Sequence, residues 1–201
     1  MQIDVEKANI VEVYQKLVDI VNPRPIAWVT SIDPEGRVNL APFSFFNAFG
    51  ANPAVLGFAP SLRRDGTKKD TLRNVEATED FVINVAVAGL AEQVNLSSKE
   101  LPPGESEVEL TGLSVSPSIK IKTPRLNESP VNLECVLRQV LVFGEGPRSA
   151  NLVIGEVVLM HVADSVLDEN GRVDPNKLAT IGRLGGDYYC RTTDNFRMKR
   201  P

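Results

Sequence analysis

The sequence predicts a mainly β fold, a small antiparallel barrel with a few short helices. Three observations carry that expectation. Short apolar runs recur along the 201 residues with turn residues between them, the pattern of a sheet that closes on itself. The helical stretches between those runs are brief, whereas a parallel α/β sheet needs a long crossover between strands. No Gly-x-Gly-x-x-Gly and no Gly-x-x-x-x-Gly-Lys-Ser/Thr is present, so neither common nucleotide-binding loop is indicated. No linker or internal repeat divides the chain, and residues 1–201 read as one domain.

The elements follow in order. Ile10, Val13, Tyr14, Leu17, Val18 and Val21 recur at helical spacing, so Asn9 to Ile20 reads as a helix, which Asn22-Pro23 ends. Pro25 to Ile32 and Arg37 to Pro42 read as a hairpin around the turn Asp33-Pro34-Glu35-Gly36. Phe43 to Asn52 mixes four phenylalanines with Ser44, Asn47, Gly50 and Asn52. It reads as an irregular loop, with Phe43 and Phe49 expected in the core. Pro53 to Ala59 is a strand, Thr71 to Thr78 a short helix capped by Asp70, Phe81 to Val87 a strand, and Leu90 to Ser98 a second short helix. Lys99 to Leu110 is polar and reads as a surface excursion. Val131 to Phe143 and Leu152 to Val162 are the two longest β-rich runs, joined at Gly144 to Pro147. The polar tail turns Gly-rich at Gly182 to Gly186.

Composition narrows the function classes. The apolar share is 42%, the charged share 24% and the net charge −4. These are values of an ordinary soluble domain and give no basic stripe for nucleic acid. No apolar run reaches membrane-spanning length, and the N-terminus lacks the pattern of a signal peptide. The two cysteines, Cys135 and Cys190, form no framework, which suits the cytoplasm. One histidine, His161, cannot build a zinc site of the usual type, and no Gly-x-Ser-x-Gly accompanies it. No metal ligand set and no hydrolase triad are expected.

Five segments then stand out in order: Asn22-Pro23-Arg24-Pro25-Ile26-Ala27-Trp28-Val29-Thr30, Asn39-Leu40-Ala41-Pro42-Phe43-Ser44-Phe45-Phe46, Lys69-Asp70-Thr71-Leu72-Arg73-Asn74 with Phe81-Val82-Ile83-Asn84-Val85, Gly155-Glu156-Val157-Val158 with His161, and Arg183-Leu184-Gly185-Gly186 with Tyr189. Together they resemble the motifs of the flavin reductase-like, FMN-binding split-barrel family, over most of the chain. The resemblance implies a Greek-key split barrel and a homodimer with FMN at the subunit interface. It also implies hydride transfer from NADH or NADPH to flavin, and a partner monooxygenase or redox protein that receives the electrons. A flavoredoxin-like carrier, or a flavin-binding module without turnover, would carry the same motifs.

The residues suit that ligand on chemical grounds. Arg63, Lys68 and Lys69 crowd ahead of a helix N-terminus, where outward N–H groups favour an anion, and Thr71 adds a hydroxyl. The same residues also fit an ordinary solvated turn. Thr30, Ser31, Ser44 and Asn47 lie at neighbouring strand ends as polar partners for a flavin ring, with Phe45 and Phe46 as apolar walls. Trp28 reads either as a wall of the ring or as core. Asn84, inside an apolar strand, must have a partner, either backbone within the barrel or the ligand's ribityl and phosphate. Arg183 is a candidate cation for the reduced ring, Tyr189 a candidate cover, and His161 either a seat for nicotinamide or a structural residue.

Overall fold

The computed structural model describes residues 1–102 and 105–200. Helix α1 (Ile10–Ile20) starts where the periodicity puts it, with the Asn9 side chain accepting from the Val11 N–H. The first hairpin pairs β1 (Ala27–Ile32) with β2 (Val38–Phe43) in antiparallel register. Asp33 holds its turn by accepting from the Glu35 and Arg37 N–H groups, and Gly36 takes the left-handed φ of 84° that the turn requires.

The next segment departs from expectation. Phe46–Ala51 is not a loop but a strand, β3, paired with β4 (Ala54–Phe58). It shows no alternation because every residue of β3 beyond Phe46 is exposed, so no buried face imposes one. For the same reason Phe49 is 64% exposed rather than in the core, whereas Phe43 is buried as expected.

Helix α2 (Asp70–Thr78) leads into β5 (Asp80–Val85), and α3 (Ala91–Leu96) follows. The stretch expected as a surface excursion spans residues 103–104, outside the described residues, but its end forms α4 (Glu107–Thr111), with Glu107 and Val108 buried. The short pair β6 (Val115–Ser116) and β7 (Arg125–Leu126) precedes the long hairpin of β8 (Val131–Phe143) and β9 (Ala150–Val162). The chain closes with α5 (Pro175–Leu178), β10 (Ile181–Arg183) and β11 (Tyr189–Arg191).

Seven strands form one antiparallel sheet in the order β2-β1-β5-β8-β9-β4-β3. The two edge strands are consecutive in the chain, linked only by Ser44 and Phe45. The sheet therefore curls until its edges meet without pairing, which is a split barrel. Inside, Ala27, Val29, Phe43, Phe58, Phe81, Ile83 and Cys135 pack with Leu72 and Val75 of α2. Close packing fixes Gly155, where a Cβ would lie 2.5 Å from Phe81 Cζ. The other face of β1 serves a second core, in which Ile26 and Trp28 meet Leu40, Val94, Val108, Leu126 and Ile181. Strand β1 is thus buried on both faces, and α3, α4 and β10 cover the second one.

Candidate functional site

Strand β2 lays Asn39, Ala41 and Phe43 along one face. The start of α2 and the segment after α3 close over that face. Between them is a cavity of about 120 Å³, lined among others by Asn39, Phe43, Arg63, Lys69, Thr71 and Lys99. The Asp70 carboxylate does not cap α2. It belongs to the helix's first turn and pairs with Arg63 (2.5 Å) and with Arg73. The N-cap position falls to Lys69, which has no side-chain cap bond. The first-turn N–H groups of α2 are thus left without an acceptor from the cap residue, and the helix dipole adds positive potential there.

The basic residues expected at this place divide by partner. Lys68 is held by Glu76 at 2.6 Å on the solvent side, and Arg63 by Asp70 and the Lys68 carbonyl. Lys69 has no ion pair among the described residues. Its ammonium lies 5.6 Å from the Phe43 ring centre. Burial pulls its pKa below the ordinary lysine value, partly offset by Glu100. Thr71, 1% exposed, accepts from Asn39 at 2.9 Å and keeps its own hydroxyl hydrogen to donate. A half-buried cation, a hydroxyl and open helix N–H groups around one small cavity suit a phosphate.

A second cleft lies around the next residue of the chain, Ser44, and is lined also by Tyr14, Asp19, Arg24, Arg183 and Leu184. Arg24, absent from the sequence-based candidates, organises it. Its guanidinium donates to the carbonyls of Val18 (2.6 Å), Val21 (2.6 Å) and Leu184 (2.9 Å), and weakly to Ser44 Oγ (3.4 Å). Backbone bonds in both directions join Arg24 to Arg183. One arginine therefore ties the end of α1 and the Gly-rich strap to the barrel. A Cβ at Gly185 would meet the Asp19 carboxylate, which would have to turn aside. Arg183 lies over the Tyr189 ring at 4.4 Å and gives one N–H to the Gly186 carbonyl. That leaves other donors of its fork without a partner among the described residues. Phe45 is 37% exposed, with Tyr14 edge-on and Arg24 above it. Phe43 lines the first cavity and Ser44 the second cleft. At about 3.3 Å per extended residue, the two are neighbours.

Other candidates are elsewhere. Trp28 is fully buried and its indole N–H donates to Ser97 Oγ at 2.8 Å, so it is core rather than a wall. Thr30 Oγ1 donates to the Pro124 carbonyl at 2.7 Å, and Ser31 Oγ accepts from Asn74; both are fully buried. Asn84 is the hub of a closed network. Its amide donates to the Trp28 carbonyl and Thr30 Oγ1 while its carbonyl accepts from Leu126 N–H and Asn132. The two donors and the carbonyl of the Asn84 side chain are thus all engaged within the barrel. Phe46 packs against the inner core, and Asn47 is exposed with its carbonyl on the Ala48 N–H. Tyr189 reaches Asn95 at 3.4 Å.

His161 lines neither the cavity nor the cleft. It shares a register row with Trp28 through Asn84 and Asn132, three strands away, or about 14 Å at the usual strand spacing. Its Nε2 lies 2.7 Å from Glu134 Oε1. Glu134 is fully buried and also accepts from the Ile119 and Lys120 N–H groups. Burial opposes its charge, but His161 and the two amides outweigh that and hold the carboxyl below its ordinary range. The pair clamps the 118–124 loop against β8 and β9.

Comparison with known proteins agrees with the fold. The model of the flavin reductase like domain matches residues 21–178. Nitrilotriacetate monooxygenase component B from Bacillus cereus superposes with a TM-score of 0.92 and 34% identity, over 98% of each chain. The 2-nitrobenzoate 2-nitroreductase of Pseudomonas fluorescens gives 0.89 and 35%, over 100% of this chain and 96% of that one. A Shewanella frigidimarina protein with a split barrel domain shares the fold, with a TM-score of 0.84 at 22% identity over the full length of both.

Proposed function

The chain belongs to the flavin reductase like domain family, and from that premise we propose that it is an oxidoreductase that binds FMN and reduces it with NADH or NADPH. The observation that carries this reading is Lys69, a half-buried cation without an ion pair among the described residues, at an uncapped helix start. Lys69, Thr71 and the first-turn N–H groups of α2 would hold the terminal phosphate, with Asn39 orienting the Thr71 hydroxyl. Ser44, Phe45 and Arg183 line or flank the neighbouring cleft and are the groups to meet the ring. The flavin supplies the two-electron chemistry; the protein supplies binding, orientation and electrostatics. Arg183, with guanidinium donors unpartnered among the described residues, would favour the negative charge that reduction brings, while Arg24 fixes the strap on which Arg183 rides.

The surface supports a homodimer. Ile10, Tyr14, Leu17 and Ile20 of α1, with Phe45 and Phe49, are all exposed, and the Tyr14 and Phe45 rings, 6.2 Å apart, join the helix face to the start of β3. A patch of this character is rarely left open on a monomer. The similarity to a monooxygenase component B favours delivery of the reduced flavin to a partner oxygenase. Steady-state oxidation of NADH and NADPH with added FMN tests the proposal, and turnover above that of free flavin is the expected result. Absence of turnover in protein that binds FMN would replace the reductase reading with that of an electron carrier.

A further inference from the structure

The Lys69 cavity opens onto a much larger cleft. The two share Asn39, Arg63, Asp70, Glu100, Leu101 and Glu107, and the larger one encloses about 870 Å³ between the Asp33–Gly36 turn, α2 and the start of α4. A ligand that ended at its phosphate would stay in the small cavity. One whose phosphate continued into a second phosphate and a nucleoside would have this cleft open to it beyond Lys69.

The charge of that cleft is one-sided. Its three arginines are already occupied: Arg37 by Asp33 and Glu35, and Arg63 and Arg73 by Asp70. Asp65, Glu105 and Glu109 line the large cleft but not the small cavity. All three are exposed and in no ion pair among the described residues. Hydrogen bonds from Thr67, its side chain first and then its backbone, hold Asp65 below the ordinary carboxylate range, so it stays ionised. We propose that Asp65, Glu105 and Glu109 set flavin specificity, rejecting a phosphate that continues into a second nucleotide half and so selecting FMN over FAD. The inference rests on the FMN reading above and adds to it the residues that discriminate.

The second phosphate of FAD would enter a field of like charges with no free cation among the described residues to meet it, whereas the FMN phosphate would meet Lys69 and the α2 N–H groups. Taking a separation of roughly 10 Å in water, three like charges weaken binding about fivefold at 10 mM salt and about twofold at 150 mM. The contribution is modest, additive to any steric loss, and recognisable by its salt dependence.

The test compares the wild type with the triple variant D65N/E105Q/E109Q, in which surface carboxylates become isosteric amides. FMN and FAD are titrated against each by flavin fluorescence at 10 and 150 mM salt, with circular dichroism to check folding. The expected result is tighter FMN than FAD in the wild type. In the variant that gap narrows about fivefold at low salt and less at high salt. A gap unchanged by the substitutions, or a wild type that binds FAD as well as FMN, overturns the inference while leaving flavin binding intact. Failure of the wild type to bind any flavin overturns the FMN reading and this inference with it, and a folded variant that loses flavin altogether overturns the inference alone.

Discussion

Replacing Lys69 with alanine should separate binding from stability. The ammonium is half-buried, with no ion pair among the described residues, and its pKa is lowered by the loss of water around it. In the ligand-free protein this charge is a cost, so Lys69→Ala should leave thermal stability unchanged or slightly raised. With FMN present the same charge would meet a phosphate, and a charge-assisted contact of that kind contributes about 1.5–3 kcal/mol. FMN affinity should therefore fall roughly tenfold to a hundredfold. Lys68→Ala is the internal control, since Lys68 is held by Glu76 away from the cavity and its loss should leave affinity unaltered. Fluorescence titration gives the affinity and thermal melting the stability. The pH dependence has a definite sign. Between the lowered pKa and the ordinary 10.5, native Lys69 loses its proton before the unfolded chain does. Stability of the free protein then rises with pH across that interval, while FMN affinity falls because the phosphate needs the charged form. Unchanged FMN affinity in folded Lys69→Ala protein would refute the phosphate assignment.

Asn84→Ala should destabilise the fold by about 2–5 kcal/mol in urea, because it strands the Leu126 N–H and the Asn132 amide; the folded fraction should bind FMN as before, and a selective loss of binding would return Asn84 to the site. Glu134→Gln should lower stability at neutral pH. The wild-type advantage should be complete above the ordinary carboxylate pKa of 4.5 and vanish as acid protonates native Glu134 below it, which melts across a pH series will show. Light scattering should report a dimer, and Leu17→Glu on the exposed face of α1 should shift it toward monomer; a wild-type monomer at micromolar concentration would remove the homodimer.

The elements were legible because they rest on local physics. The α1 spacing, the Asp33–Gly36 turn and the long β8–β9 hairpin are each written within a few neighbouring residues. What was hidden depended on partners distant in sequence. Phe46–Ala51 reads as a loop on its own and becomes a strand only because β4 pairs with it. Asp70 looks like a cap until Arg63 and Arg73 take its carboxylate. Arg24 sits in plain view inside the Asn22–Thr30 motif, but its role needs Leu184, 160 positions away. Glu107 was lost in a polar run because its burial depends on β2, where it accepts the Leu40 N–H at 3.0 Å.

The same distinction separates the candidate residues into two kinds. Thr30, Ser31, Asn84 and Trp28 are polar or amphipathic groups in a buried strand pair, and burial obliges such groups to find partners within the fold. The network they make with Pro124, Asn74, Asn132 and Ser97 is that obligation met, so a motif rich in them marks the barrel's construction. Ser31 also keeps a hydroxyl hydrogen, but it lines neither opening; Lys69, Thr71 and Arg183 keep donors unused among the described residues, each at an opening and each on an element whose position other residues fix. Asn39 orients Thr71, and Arg24 holds the strap of Arg183. A sequence motif lists both kinds side by side; the hydrogen bonds and the openings together tell them apart, and the groups proposed for the ligand are those that keep a donor at an opening.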